Sequence, residues 1–291
     1  MDATNSTYST LSSFIDETFD VRASNNYHLS LEISFSGLSA AVLDTARNKY
    51  ILLENHFFQR AYSPTLLISK IQQLLSDKEY LSKNYQSIAI GFYSEKFTFV
   101  PGELIENTLL ENYLSLSNRI TTDETIMSAA IKPFGSHCVF AMDKGLLLFL
   151  THRFPNAKFV HSFNSLLESI NSISGPQNKK NVLIHMQQGH FEMIVTENKK
   201  LIFANSFSYQ TSEDFLYHTL FVLEQLQLNT ETTELMLTGE VEKNSAIYSI
   251  LKKYINSIHF IDKPELFEYS YSLNNLPNNF HFNLYSLALC V

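Results

Sequence analysis

The chain has 291 residues, 45% hydrophobic and 17% charged, a balance that fits a folded globular protein and excludes a disordered one. Its formal net charge is −8, and Lys179–Lys180 and Lys199–Lys200 read as solvated loop charge, so no nucleic-acid partner on a basic face is expected. Eight Gly and seven Pro are few for this length, which assigns most of the chain to strands and helices and argues against a glycine-rich phosphate loop.

Residues 1–26 are polar and Ser/Thr-rich and read as a flexible N-terminal arm. Asp2, Asp16, Glu17 and Asp20 stand where a signal peptide needs an apolar core, and the longest apolar run, near Leu146–Leu150, is far short of a membrane span. The expectation is a cytoplasmic protein without membrane insertion. From His28 the pattern alternates: Leu29, Leu31, Ile33 and Phe35 share one face of a strand. Ser36–Gly37 reads as a turn, Ala41–Val42–Leu43 as a second strand, Asp44–Asn48 as a further turn, and Tyr50–Phe58 as a third strand. Together they predict an antiparallel meander.

Ser63–Pro64 then caps an amphipathic helix carrying Leu67, Ile68, Ile71, Leu74 and Leu75. Ser87–Phe92 (SIAIGF) is a short apolar strand, and a helix with Leu104, Ile105, Leu109 and Leu110 follows Pro101–Gly102. A strand around Cys138, a helix over Leu146–Phe154, the strand AKFVHS and a helix over Phe163–Ile173 come next. Ser174–Lys180 is turn residues followed by charge, the clearest linker. The plan then restarts. Val182, Ile184 and Met186 alternate, Gln188–Gly189 turns, Phe191, Met193 and Val195 alternate back, and Leu201–Phe207 forms a third strand. A helix from Ser212, the strand ELMLTG, a helix over Ala246–Tyr254 and the strand SIHFID follow. The domain reading is an arm at 1–26, a first lobe at 27–174, and a second lobe with a C-terminal tail at 175–291.

The two meanders superpose in sequence. ILLENHF matches LIFANSF, with Asn55 over Asn205 and Phe57 over Phe207 at an offset of 150 residues, while Gly37 over Gly189 is an offset of 152. A slightly shorter second turn in the later copy accounts for the difference. The same order of elements after each meander marks an internal duplication, and a cleft between two such lobes is where a ligand is expected.

Other constellations carry less chemistry. Cys138 and Cys290 lie far apart in apolar strings and read as buried free thiols. His185 and His190 flank a turn and could meet Glu192 around a metal, but their spacing matches no zinc signature, so ordinary surface histidines are the expectation and no metal site is assigned. His152, His161 and His218 read as hydrogen-bonded packing residues. Asp123–Glu124 and Glu240–Glu242 read as solvated loop charge, and no nucleophile elbow, P-loop or zincin motif occurs. Phe267, Tyr269, Tyr271, Phe280, Phe282 and Tyr285 crowd the C-terminus, either packing the tail onto a lobe or forming an aromatic patch for a partner protein.

Meander–helix–strand–helix–strand, used twice, resembles the actin-like ATPase superfamily. That likeness implies an α/β, two-lobed, duplicated ribonuclease H-like fold with mixed sheets flanked by helices. More narrowly, HLSLEISFSGLSAAVLD, FPNAKFVHS and LPNNFHFNLYSLALC resemble an uncharacterised family of Bacteroides-type bacteria with this fold. In the superfamily the first turn of each meander faces a nucleotide phosphate and a late glycine motif touches the adenosine, with a carboxylate before the first and the second turn glycine organising Mg²⁺. The positions implied here are Gly37, Ser39, Gly189 and Gly239, should a nucleotide bind. Where carboxylates are required the chain has Ser34 and Ser36, then Met186–Gln188. Glu32 lies farther back and is expected to face solvent, and Glu240 follows Gly239 where it would repel a phosphate. The reading is therefore a non-catalytic actin-like protein, a scaffold or regulator without cofactor, acting through an unknown protein partner. Pilus-assembly and secretion proteins of the superfamily are a precedent for such a role. The alternative is a nucleotide-binding protein or weak ATPase using ATP with magnesium.

Overall fold

The computed structural model of the protein describes residues 8–58, 63–170 and 180–291; the sequence-assigned linker, apart from Lys180, lies outside the described residues. The chain forms two compact units. The first comprises Met1–Ser169, Leu266–Asn275 and Asn283–Val291, and the second Ile170–Glu265 and Leu276–Phe282.

In the first unit, β1 (Tyr8–Ile15) precedes the meander β2 (Tyr27–Ser34), β3 (Gly37–Asp44) and β4 (Lys49–Phe58). Helix α1 (Pro64–Asp77) starts where Ser63 Oγ accepts the Leu66 N–H and buries Leu67, Ile71, Leu74 and Leu75, the spacing read from the sequence. Strand β5 (Ser87–Phe92) follows. A three-stranded antiparallel sheet is then inserted, with β6 (Phe97–Pro101), α2 (Leu110–Ser115), β7 (Glu124–Ile131) and β8 (Ser136–Asp143) in strand order β6-β8-β7. It buries its own small cluster of Val100, Leu114, Val139 and Ala141. Sequence reading found only β8 of this sheet. It predicted a long helix after Pro101, where the chain makes short 3-10 turns and the six-residue α2. Helix α3 (Lys144–Arg153), β9 (Ala157–His161) and α4 (Ser162–Ser169) complete the chain run. The main sheet has the order β1-β4-β3-β2-β5-β9, with β5 and β9 parallel to β2.

The second unit repeats this with β10 (Lys180–Gln187), β11 (His190–Glu197), β12 (Lys200–Ser208), α5 (Ser212–Gln225), β13 (Glu234–Gly239), α6 (Ala246–Leu251) and β14 (Ser257–Phe260). A capping box joining Thr211 and Asp214 opens α5. Its sheet order is β12-β11-β10-β13-β14, the same as β4-β3-β2-β5-β9. The duplication extends to local irregularities. Val42 pairs with Leu52 and Leu43 with Tyr50, leaving Ile51 as a bulge; Val195 pairs with Phe203 and Thr196 with Leu201, leaving Ile202 in the same place.

The ladders also correct the sequence alignment by one residue. Ser34 pairs with Gly37 as Gln187 does with His190, an offset of 153, and Gly37 faces Phe57 as His190 faces Ser208, an offset of 151. Asn55 therefore corresponds to Ser206 and not to Asn205. Such a slip matters because it exchanges the two faces of a strand. The two-residue difference between the offsets does come from the second turn. Four residues join Asp44 to Lys49, whereas Asn198–Lys199, both left-handed, join Glu197 to Lys200.

Two boundary readings change. Residues 8–26 are not a loose arm, because β1 pairs antiparallel with β4 from Tyr8 opposite Phe58 to Ile15 opposite Leu52. The C-terminal residues do not all stay with the second unit. A short strand, β15 (Glu268–Tyr269), joins β4 as the seventh member of the first sheet. Tyr50, fully buried, donates its hydroxyl to Tyr285 O at 2.5 Å in α7 (Phe282–Ser286) and packs against Phe267, Tyr269 and Tyr285. Packing of the tail, one of the two readings of its aromatics, holds for these residues, while Tyr271 stays exposed.

The β1–β4 pairing encloses a charged group. Glu54 is buried, accepts from Ser13 Oγ at 2.6 Å and Lys78 Nζ at 2.9 Å, and lies 3.3 Å from His56 Nε2. Burial pushes its pKa up, but the neighbouring His56, Ser13, Lys78 and Tyr80 side chains outweigh it and hold the carboxyl at about 2, below its ordinary 4.5. A depressed carboxyl stabilises the fold above its unfolded value and loses that contribution as pH falls toward the folded value. Urea denaturation between pH 7 and pH 2 is expected to show stability falling below about pH 4.5, and Glu54→Gln is expected to cost roughly 2 kcal/mol at pH 7 and to flatten that acid limb.

Candidate functional site

The positions implied by the sequence sit at strand ends. In the first unit the turn is Phe35–Ser36, so Gly37 is the first residue of β3 and not a turn residue. Its lack of a side chain has a packing cause: a Cβ there would lie 2.4 Å from His56 O on the neighbouring strand. The Ser36 N–H donates to Ser34 Oγ, and its carbonyl accepts from Phe58 N–H. Ser39 is half-buried on β3 between Glu32 and Asn55. Glu32 does not face open solvent as expected. It accepts from Asn283 Nδ2 at 2.8 Å, while Asn283 Oδ1 accepts from Ser165 Oγ.

Gly189 and Gly239 do come together, at the shared C-terminal end of the parallel strands β10 and β13, where Met186 pairs with Gly239. Gly189 occupies the turn with φ +81°, and a Cβ there would meet nothing. Gly239 also has a left-handed φ of +84°, but a Cβ would lie 2.2 Å from Met186 O. The backbone around it is tied down. The Gly239 N–H donates to Asn279 O, the Glu240 N–H to Met186 O, and the Val241 N–H to Gly239 O. Asn279 closes the clamp through Nδ2, which donates to Gly239 O and Val241 O at 2.8 Å each, while Thr238 Oγ1 donates to Asn279 O.

The neighbouring histidines are not surface residues. His185 is buried opposite Glu192 across the hairpin, and His190 Nε2 lies 3.7 Å from Glu192 Oε1. They are buried because this second face of β10 and β11 is covered as fully as the first; alternation reports one covered face only. Burial holds His185 and His281 neutral, each at a pKa of about 4. Among the described residues no group of three or more His, Cys, Asp or Glu is arranged to hold a metal ion. His161 is a buried packing residue between Phe97 and Phe163, as expected, and bonds Ser94 O at 2.8 Å. His218 stacks on Phe207. Cys138 and Cys290 are buried free thiols. Glu124 is not loop charge but a β7 residue held by Lys96.

Residues 16–258 match the family described as "Protein of unknown function (DUF3822)". The chain belongs to that family. No curated protein matches it. Among solved structures it is similar to a Bacteroides thetaiotaomicron protein with an actin-like ATPase fold and unknown function. Identity is 24% and the TM-score 0.81, over 94% of this chain and 100% of the other. It is also similar to a chain of the PilM–PilN type IV pilus biogenesis complex, at 12% identity and TM-score 0.59 over 90% of this chain and 97% of that one. The fold is thus the actin-like ATPase fold, as the repeated meander implied. No described helix is long and apolar enough to cross a membrane.

Sequence reasoning missed Asn279 and Asn283. Both lie in LPNNFHFN, which reads as a turn followed by aromatics, and an asparagine in such a stretch gives no sign that its amide serves a distant strand. The contrast between the glycines is measurable. By urea denaturation, Gly189→Ala is expected to cost about 1 kcal/mol from its backbone alone, and Gly239→Ala at least twice that because strain and a backbone clash coincide.

Proposed function

We propose that this member of the family is a non-catalytic actin-like protein that works through protein contacts, as a scaffold or regulator, without a nucleotide cofactor. The observation that carries the reading is the use of the turn amides. A nucleotide held through the backbone amides of the third turn would need the N–H groups of Gly239, Glu240 and Val241, and all three are spent on backbone carbonyls. At the first turn the Ser36 N–H is engaged by Ser34. The residues before the turns are Ser34, Ser36 and Met186–Gln188, none of which can organise Mg²⁺ as a carboxylate does. Magnesium and ATP therefore do not fit the residues present, and Gly37 and Gly239 have packing reasons that need no ligand. A protein of the same fold in the PilM–PilN complex offers a precedent for work done by assembly.

Calorimetric titration of the intact chain with Mg-ATP and Mg-ADP is expected to give no saturable heat at millimolar nucleotide, and phosphate release is expected to match buffer. Saturable binding that disappears in Gly189→Asp, with the fold intact by circular dichroism, would overturn the reading in favour of a nucleotide-binding protein.

A further inference from the structure

The two units share a strand order, so positions in one have counterparts in the other, and at one edge the counterparts differ. In the first unit β4 is covered by β1, which pairs along Leu52–Phe58, beyond the bulge at Ile51. Tyr8 of that strand also reaches the adjacent helix, its hydroxyl donating to Asp77 at the end of α1. In the second unit the equivalent strand is β12. It ends its sheet, and no described strand lies outside it.

β12 carries none of the devices that discourage pairing beyond its bulge. From Leu201 to Gln210 it has no charge and no proline, and Ile202 is 41% exposed. The helix beside it differs in the same sense. Counted from the caps Ser63 and Thr211, Ser69 and Gln73 of α1 correspond to Tyr217 and Phe221 of α5. Those aromatics stack on each other at 6.2 Å and are 64% and 47% exposed, and the neighbouring His218 stacks on Phe207 of β12. A polar outward face in one copy has become an aromatic one in the other, next to a neutral open edge.

We propose that the β12 edge and the flank of α5 form a self-association surface, on which a second copy of this chain adds its own β12 antiparallel, as β1 adds to β4. Charge selects this occupant. Pairing two copies over Phe203–Phe207 about a two-fold axis at Asn205 carries Lys199 and Lys200 of each toward the opening of the other's α5, where Glu213 and Asp214 stand. The contact is self-complementary and occurs twice. A nine-residue strand of about 30 Å with a helix layer about 10 Å behind it offers roughly 600 Å² per copy, at the low end for specific complexes. The dimer is accordingly weak and concentration-dependent. The inference is independent of the reading proposed above, since it concerns neither nucleotide nor outside partner.

Sedimentation velocity of the intact chain from about 1 to 100 µM is expected to show a monomer–dimer equilibrium. Asn205→Lys and Phe221→Glu are each expected to weaken it at least tenfold, and Leu116→Glu, on an exposed position of the first unit, to leave it unchanged. Asn205→Cys provides a test that tolerates a misfolding charge variant. Cys138 and Cys290 are buried, so the new thiol, close to the two-fold, is expected to form an interchain disulfide under mild oxidation, whereas Ser9→Cys on β1 is not. A monomer across the whole range overturns the proposal, and so does a dimer unaffected by the β12 and α5 variants. A monomer whose β12 edge instead protects a foreign extended peptide overturns it in favour of a different occupant.

Discussion

The structure depends on burying each central strand on both faces. β2 places Leu29, Leu31 and Ile33 in one core, and β10 does the same with Val182, Ile184 and Met186. The opposite faces are covered as well, so the polar residues there must find partners or stay neutral. His28 bonds Ser87 and Ser30 and is held at a pKa of about 4 by its burial, and Glu32 is met by Asn283. The side chains that satisfy these strands come from distant parts of the chain. That is why the C-terminal stretch divides, with Asn279 serving the second unit and Asn283 the first.

A consequence is that the end of β13 is closed from within. The Gly239 turn is clamped by Asn279 and Met186. Its glycine is demanded by a neighbouring carbonyl. The repeat has kept its scaffold geometry, including the matched bulges at Ile51 and Ile202. The outer edges of the units also differ: in the first, β1 and β15 pair with β4 and β1 encloses the buried Glu54, whereas the second sheet ends in β12 among the described residues.

Much of the fold was legible because the local signals agreed. The alternation of β2 and β10, the Ser63–Pro64 cap and the repeated order of elements all pointed one way. What was not legible fell into two kinds. The sequence YSTLSSFI has too little apolar alternation to announce β1, which is held mainly by pairing with β4, while β6 is short and both β6 and β7 are only partly buried. At the candidate site, the turn containing Gly37 was placed one residue late, and the burial of His185, His190 and Glu192 was missed. A strand pattern shows which residues share a face without showing what covers the other one.

The sequence by itself determined the element types, the duplication and the absence of carboxylates before the turns, because these rest on periodicity, caps and residue identity. Tertiary structure decided the register of the repeat, the division of the C-terminus between the units and the packing reasons for Gly37 and Gly239. Those depend on which backbone atom of a distant strand lies within a few ångströms, and no local pattern encodes that distance.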